Sequence, residues 1–233
     1  MYGLGGPSFV ELMRQALSST RGGYDLLAPK FDRTPFRTSD DLVARAFELL
    51  DPGPVDRGLD LCCGTGAGLG ALSRVARVAV GVDFSSPMIA TGRRRLAGQG
   101  VHFVRGDALS LPFAPGCFDL VVMFGAMGHF PPAVQPRLFA EVARVLGPGG
   151  RFVTVTADRP APWRRSYWVL RGFNAVMHAR NALLKPSFEM YYLKFDLPQA
   201  IGRLVEAGLD PRVRPLGDPD HPSLRLLVGH KPT

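Results

Sequence analysis

Three aspartates, Asp60, Asp83 and Asp107, each follow an apolar run, and each falls about one strand-plus-helix unit after the last. Behind the first lies Cys62-Cys63-Gly64-Thr65-Gly66-Ala67-Gly68, a glycine-rich turn that runs into a helical pattern. Glycines there remove the Cβ atoms that would hold a ligand off the backbone, and they permit positive φ in a tight turn. In an open parallel sheet the ligand crevice lies beyond the carboxyl ends of the strands, so acids at successive strand ends converge on one cleft. The residues therefore describe a nucleotide-type cradle. Cysteine offers no competing chemistry: Cys62 and Cys63 are adjacent and Cys117 stands alone, a spacing that makes neither a disulfide framework nor a metal site.

The elements that must position these residues are legible as near-continuous apolar runs, which a parallel sheet covered on both faces requires. Strands are expected near 57–62, 78–83, 101–105, 118–124 and 151–157, with helices between them. Leu138, Val142 and Val145 or Leu146 recur at helical spacing before Gly147-Pro148-Gly149-Gly150 stops that helix. A helix over Leu197 to Gly208 and strands over Pro211–Leu216 and Leu224–Gly229 follow. The 233 residues, 46% hydrophobic, suffice for one large core. No apolar run approaches the roughly 20 residues that span a bilayer, and no secretory leader pattern opens the chain, so a cytoplasmic location is expected. The net charge of +8 is nearly all arginine, since only Lys30, Lys185, Lys194 and Lys231 are lysines. That reflects base composition or attraction of an anionic partner.

The motifs in their order resemble the class I S-adenosylmethionine (SAM) dependent methyltransferases over roughly residues 55–157. Leu59-Asp60-Leu61-Cys62-Cys63-Gly64-Thr65-Gly66 is similar to the family's first motif, and Val82-Asp83-Phe84-Ser85 to the second. Gly106-Asp107-Ala108 with Leu111-Pro112-Phe113 resembles the third, and Phe118–Val122 with Arg144–Gly150 completes the run. Cys62 departs from the pattern, standing where the family usually has another glycine. The resemblance implies an α/β, Rossmann-like fold: a seven-stranded, mostly parallel sheet with helices on both faces and the last strand antiparallel. It implies SAM as cofactor, with backbone groups of Cys63, Gly64 and Gly66 at the methionine end, Asp60 near its ammonium and Asp83 on the ribose hydroxyls. Phe84 and Met88 would flank the adenine, Asp107 and the Ala108 N–H would read its edge, and Phe124 and Gly125 would border the sulfonium. Other readings stand beside these: Asp83 could cap the next helix, and Gly66-Ala67-Gly68-Leu69-Gly70-Ala71 also fits the dinucleotide pattern of an NAD(P) oxidoreductase. A catalytically silent SAM-binding regulator would carry the same motifs.

His129, in the loop after the fourth strand, is the candidate base, or else a histidine that orders the loop. That loop holds neither the Asn/Asp-Pro-Pro-aromatic arrangement nor a cysteine, which counts against a nucleic-acid base as acceptor. The expected acceptor is a small, partly hydrophobic molecule, in a layout similar to the ubiquinone/menaquinone biosynthesis branch; no metal is called for, and the oligomeric state is open. Two segments flank the core. The resemblance implies that residues 1–50 form an N-terminal helical lid, with Tyr24 and Phe31 either lid contacts or ordinary core aromatics, before the SAM-binding domain of 51–233. Residues 158–196 form a helical cap insertion with six Lys/Arg and no acid between Arg159 and Lys185. On a helix Trp163, Tyr167, Leu170 and Met177 share one face, beside Arg164, Arg171 and His178. Such a segment can pack as a cap with a basic rim, enclose an anionic ligand, or lie on a membrane as a peripheral contact.

Overall fold

The structure is a computed structural model that describes residues 6–34, 37–192 and 195–233. Strands β1 (Val55–Leu61), β2 (Ala76–Asp83), β3 (His102–Arg105), β4 (Phe118–Met123), β5 (Leu146–Ala157), β6 (Asp210–Pro215) and β7 (Leu224–His230) form one sheet in the order β3-β2-β1-β4-β5-β7-β6. Pairings among β1 to β5 are parallel, and β7 runs antiparallel to both β5 and β6. The expected α/β architecture and the antiparallel last strand are both present. The strand order turns back between β1 and β4, which puts the crevice of an α/β sheet at the carboxyl ends of those strands.

Alternation along each strand sends neighbouring side chains to opposite faces, and both faces are covered. Leu59 and Leu61 of β1, Val121 and Met123 of β4 and Leu227 of β7 pack under α6 (Gln135–Val145) and α8 (Leu197–Glu206). Leu120 and Val122, with Leu226 and Val228, face the other way, against α3 (Asp40–Leu50), α4 (Ala67–Leu72) and α5 (Ser86–Arg95). Close approach is built in where α4 crosses the sheet: a Cβ on Gly58 would come within 2.6 Å of Leu72, and one on Gly81 within 2.8 Å of Cys63 Sγ. The Gly-Pro-Gly-Gly run behaves differently from expectation. Helix α6 ends at Val145 and β5 begins at once, so those residues form the start of the strand.

Ahead of the sheet lie α1 (Phe9–Leu17), α2 (Thr20–Leu27) and a 3₁₀ turn over Ala28–Arg33. Ser8 caps α1 through a capping box with Glu11, as the Ser-Phe-Val-Glu spacing predicts. Between β5 and α8 runs the long helix α7 (Arg165–Leu183). Trp163 precedes this helix, so it does not share the helical face with Tyr167, Leu170 and Met177 that the spacing suggests. A third, smaller cluster joins α7 to α2: Met177, Phe188 and Tyr191 are buried with Tyr24 and Phe173 against them.

Candidate cofactor and acceptor site

Ends of β1, β2 and β4 converge on one cleft of about 790 Å³, partly open to solvent. Its lining includes Asp60, Cys63, Gly64, Asp83, Phe84, Met88, Phe124, Gly125 and His129, nine residues singled out by sequence, along with Tyr24 and Phe31. Cys62, Thr65, Gly68, Ala126 and Phe130 also line it.

The turn after β1 earns its glycine at Gly64. With φ of +51° the residue sits in the left-handed region, and a Cβ there would meet no protein atom within 4 Å, so its missing side chain leaves space in the cleft. Cys62 takes φ of 58° in the same turn. The family's usual glycine is therefore replaced at a position whose backbone favours glycine, and the strain of a non-glycine residue in this region is roughly 1–2 kcal/mol.

Asp60 is buried, and one of its carboxyl oxygens, Oδ2, has no hydrogen-bond partner. The Leu69 N–H donates to the carboxyl group, but burial dominates and pushes its pKa up from 3.8 to about 8, with the nearby Asp83 adding to the rise. A Cβ on Gly68 would stand 2.8 Å from Oδ2, so only glycine lets the carboxyl lie against the start of α4. A buried carboxyl with an unused oxygen beside open space is a site for a cation.

Asp83 is held differently. Its Oδ2 accepts the Gly64 N–H at 2.9 Å and its Oδ1 accepts the Ser85 N–H at 2.9 Å. Burial raises its pKa and these N–H groups oppose the rise. Each oxygen retains lone-pair capacity for a further donor. The cap of α5 is Ser85, whose Oγ accepts the Met88 N–H at 3.2 Å, so the helix-cap role considered for Asp83 belongs to its neighbour.

Three of the loop N–H groups are already spent inside the protein. Cys63 donates to Val82 O at 3.0 Å, Gly64 to Asp83, and Gly66 to Cys63 O at 2.7 Å. The residues before α3 supply further polar groups at this end that sequence reasoning missed. Arg37 and Thr38 line the cleft. The Arg37 side chain is 12% exposed and is held by two carboxylates, its Nε 2.9 Å from Asp32 Oδ1 and its Nη2 2.5 Å from Asp40 Oδ1, which fixes a cation at the cleft wall. Thr38 approaches so closely that a Cβ on Gly125 would stand 2.4 Å from its Oγ1. The N-terminal segment is also tied to the strand-end loops: Ser85 donates to Asp25 and Thr65 to Asp32, both at 2.5 Å.

His129 sits between two partners. Its Nδ1 is 2.6 Å from the Glu189 carbonyl, which can only accept, so Nδ1 carries the hydrogen and Nε2 is the acceptor. The Tyr24 hydroxyl, 2.6 Å from Nε2, donates to it. Burial lowers the His129 pKa and raises that of Tyr24, which keeps both neutral.

Three expected contacts lie outside this lining. Gly66 faces a neighbouring hollow beside Asp40 and Arg95, and Ala108 is buried in the core under α6. Asp107 is exposed and its Oδ1 accepts the Leu109 N–H at 2.9 Å, yet it stands near enough to raise the Cys62 thiol pKa.

Comparison with known proteins agrees with this geometry. Residues 59–150, the span of the motif run, match the family model described as a methyltransferase domain. The chain is 37% identical over 180 residues to the demethylmenaquinone methyltransferase of Clavibacter sepedonicus, covering 72% of this chain and 70% of that one. It is 34% identical over 175 residues to the demethylmenaquinone methyltransferase of Thermus thermophilus, covering 70% and 78%. Among solved structures, an O-methyltransferase family protein from Burkholderia thailandensis superposes with a TM-score of 0.73 at 18% identity, over 97% of this chain and 67% of that one, a likeness of fold. The dinucleotide reading of the glycines finds no support beside these relatives, and the chain belongs to the class I SAM-dependent methyltransferase family, related to the menaquinone biosynthesis enzymes.

Proposed function

We propose that the protein transfers a methyl group from SAM to a small, quinone-type acceptor. The observation that carries this reading is an unspent buried acceptor, Asp60 Oδ2, in a cleft that the Arg37 guanidinium also lines. Together they complement the ammonium and carboxylate of an amino acid. When bound, SAM supplies an electrophilic methyl group on a positively charged sulfur.

The chain's own residues do the rest by holding and orienting. Asp60 faces the ammonium and Arg37 the carboxylate, Asp83 accepts the ribose hydroxyls, Phe84 and Met88 flank the adenine, and Phe124 and Gly125 border the sulfur. Asp107 and Ala108 serve the outer edge of the adenine. Gly66 acts through the shape of the turn. The quinone-type acceptor is supported by the names of the relatives, and Phe31 and Phe130 give the cleft an apolar wall for it. The acceptor reacts in its reduced, hydroquinone form: a hydroxyl at Tyr24 hands its proton to Tyr24 Oη as Tyr24 hands its own to His129 Nε2, which raises electron density on the ring that takes the methyl group. Alignment of methyl and acceptor in a closed site can supply effective molarities on the order of 10⁵ M or more without a covalent intermediate. Residues 1–50 serve as the lid, and the site works in the cytoplasm, where the free thiols of Cys62, Cys63 and Cys117 stay reduced.

Calorimetry with SAM and with NADPH, followed by mass spectrometry of products from methyl-labelled SAM and demethylated quinones reduced to their hydroquinones, tests the reading. Heat from SAM alone and a labelled quinone are expected. NADPH binding without SAM binding would overturn the cofactor assignment, and SAM binding without any labelled product would leave a silent binder.

A further inference from the structure

Helix α1 is amphipathic, yet its apolar side is turned outward. Phe9, Val10, Met13 and Leu17 are exposed, Phe9 at 76%, while the buried residue of the helix is Gln15. A surface helix of a globular domain ordinarily shows the reverse. Helix α7 is similar: Met177 is its one buried residue, and Trp168, Val169, Val176 and Leu183 lie exposed, Leu183 at 82%. Just before it stands Trp163, 86% exposed. The two helices are fastened together, since Arg180 of α7 donates to the carbonyls of Ala16 and Ser18 at 2.9 and 2.8 Å. Their exposed apolar residues thus belong to one connected helical unit rather than to scattered sites.

Exposed charge along this unit is mainly basic. Arg164, Arg165 and Arg171 are exposed along the first half of α7, Arg14 is exposed on α1, and Lys185 follows α7. The stretch from Arg159 to Lys185 contains no acid, and Glu11, the acid of α1, is bonded to Lys30 at 2.8 Å. Exposed apolar and aromatic side chains with a basic border match the interface of an anionic bilayer, where acyl chains take the apolar groups and headgroup phosphates take the arginines.

We infer that the outward faces of α1 and α7 dock the protein on an anionic lipid surface. No helix among the described residues is long and apolar enough to cross a membrane, so the attachment is peripheral. The same unit leans on the acceptor end of the cleft. Phe188 stacks on Tyr24, Tyr191 donates its backbone N–H to Gly128 O at 2.9 Å, and Glu189 O fixes His129. A lipophilic molecule dissolved in the bilayer would therefore meet the protein beside the Tyr24–His129 pair. The docking itself does not depend on methyl transfer and is measured without it.

The chain has two tryptophans, Trp163 and Trp168, both on this face, so its intrinsic emission reports directly on docking. The full chain is mixed with vesicles of phosphatidylcholine alone or with about 30% phosphatidylglycerol, and partition is followed by flotation and by tryptophan emission. Binding to the anionic vesicles, with a blue shift that salt reverses, is expected. Replacing Phe9, Leu17, Val176 and Leu183 together by Ser should lower partition about tenfold or more while both tryptophans, the thermal midpoint and SAM affinity stay as in the parent. Replacing Arg164, Arg165 and Arg171 by Gln should remove the preference for anionic vesicles. Absence of vesicle binding by the parent overturns the inference, as does equal partition of parent and Ser variant. A blue-shifted emission without lipid that follows dimer formation in sedimentation would assign the face to a second copy of the chain instead.

Discussion

Around the cleft, apolar side chains point inward; on the α1–α7 unit, large apolar side chains point outward. Leu59, Leu61 and Met88 are buried under the strand ends, and the turn after β1 uses the N–H groups of Cys63, Gly64 and Gly66 internally. Against that background Asp60 Oδ2 stands out as unused. Phe9, Leu17, Trp168 and Leu183 stand out on the helices for the opposite reason, being large and uncovered. In the first region a missing partner signals a small polar ligand; in the second a missing cover signals a large apolar one.

The comparison breaks first at Asp60. Asp60→Asn removes the charge that faces the ligand's ammonium, and SAM affinity should fall about a hundredfold, near the upper range for loss of a hydrogen bond to a charged group. Burial raises the folded-state pKa of this carboxyl to about 8 from 3.8, so its stability contribution to the ligand-free protein is fully present below pH 3.8 and is lost as pH rises through about 8. A bound ammonium reverses that loss. The thermal shift produced by SAM should therefore grow between pH 4 and 8 in the parent, and the variant should lack this growth. A parent whose shift is flat across that window would refute the role.

Asp83→Ala comes next, with affinity lowered about ten- to a hundredfold, or about 1.5–3 kcal/mol, read by calorimetry. Part of the loss comes through the Gly64 and Ser85 N–H groups that lose their acceptor. If the variant binds SAM like the parent, Asp83 serves the turn alone. On the helices the same scale of change should do almost nothing to the fold: Leu183→Ser or Phe9→Ser should move unfolding free energy by less than about 0.5 kcal/mol in denaturant titrations, the ordinary range for surface positions. A loss of several times that size would mean these side chains are covered after all. The smallest effect belongs to Cys62→Gly. Relief of the left-handed strain, about 1–2 kcal/mol, is offset by the entropy of a new glycine, about 0.5–1 kcal/mol, and by lost thiol packing, so stability and SAM affinity should change little.

The sheet was readable because its strands are apolar runs closed by acids, and that pattern located β1, β2 and β4 to within two residues at each end. The same acids marked Asp60 and Asp83 correctly as cleft residues. Arg37 and Thr38 were not readable, since they precede every motif and reach the cleft only because the chain entering α3 crosses over Gly125. Their one sequence signal is position, immediately before the Ser39 cap of α3. Nor could spacing tell that the loop N–H groups would be consumed locally, which depends on where Val82 O and the Asp83 carboxyl end up. Helical periodicity showed that α1 has an apolar side but carries no information on what that side meets. For α7, which is apolar on more than one side, periodicity separated Met177 from the rest no better.

The two bonds from Asp25 to Ser85 and from Asp32 to Thr65 fasten the N-terminal segment to the loops that follow β2 and β1. Those loops line the cleft, as do Tyr24 and Phe31 of the segment, so if the segment is to lift as the proposed lid, both bonds must be open together. Two short bonds that each open easily seldom open at the same instant. Under the proposed lid reading, the dwell time of a bound molecule would be set by hydroxyl–carboxylate contacts that never touch the reacting atoms.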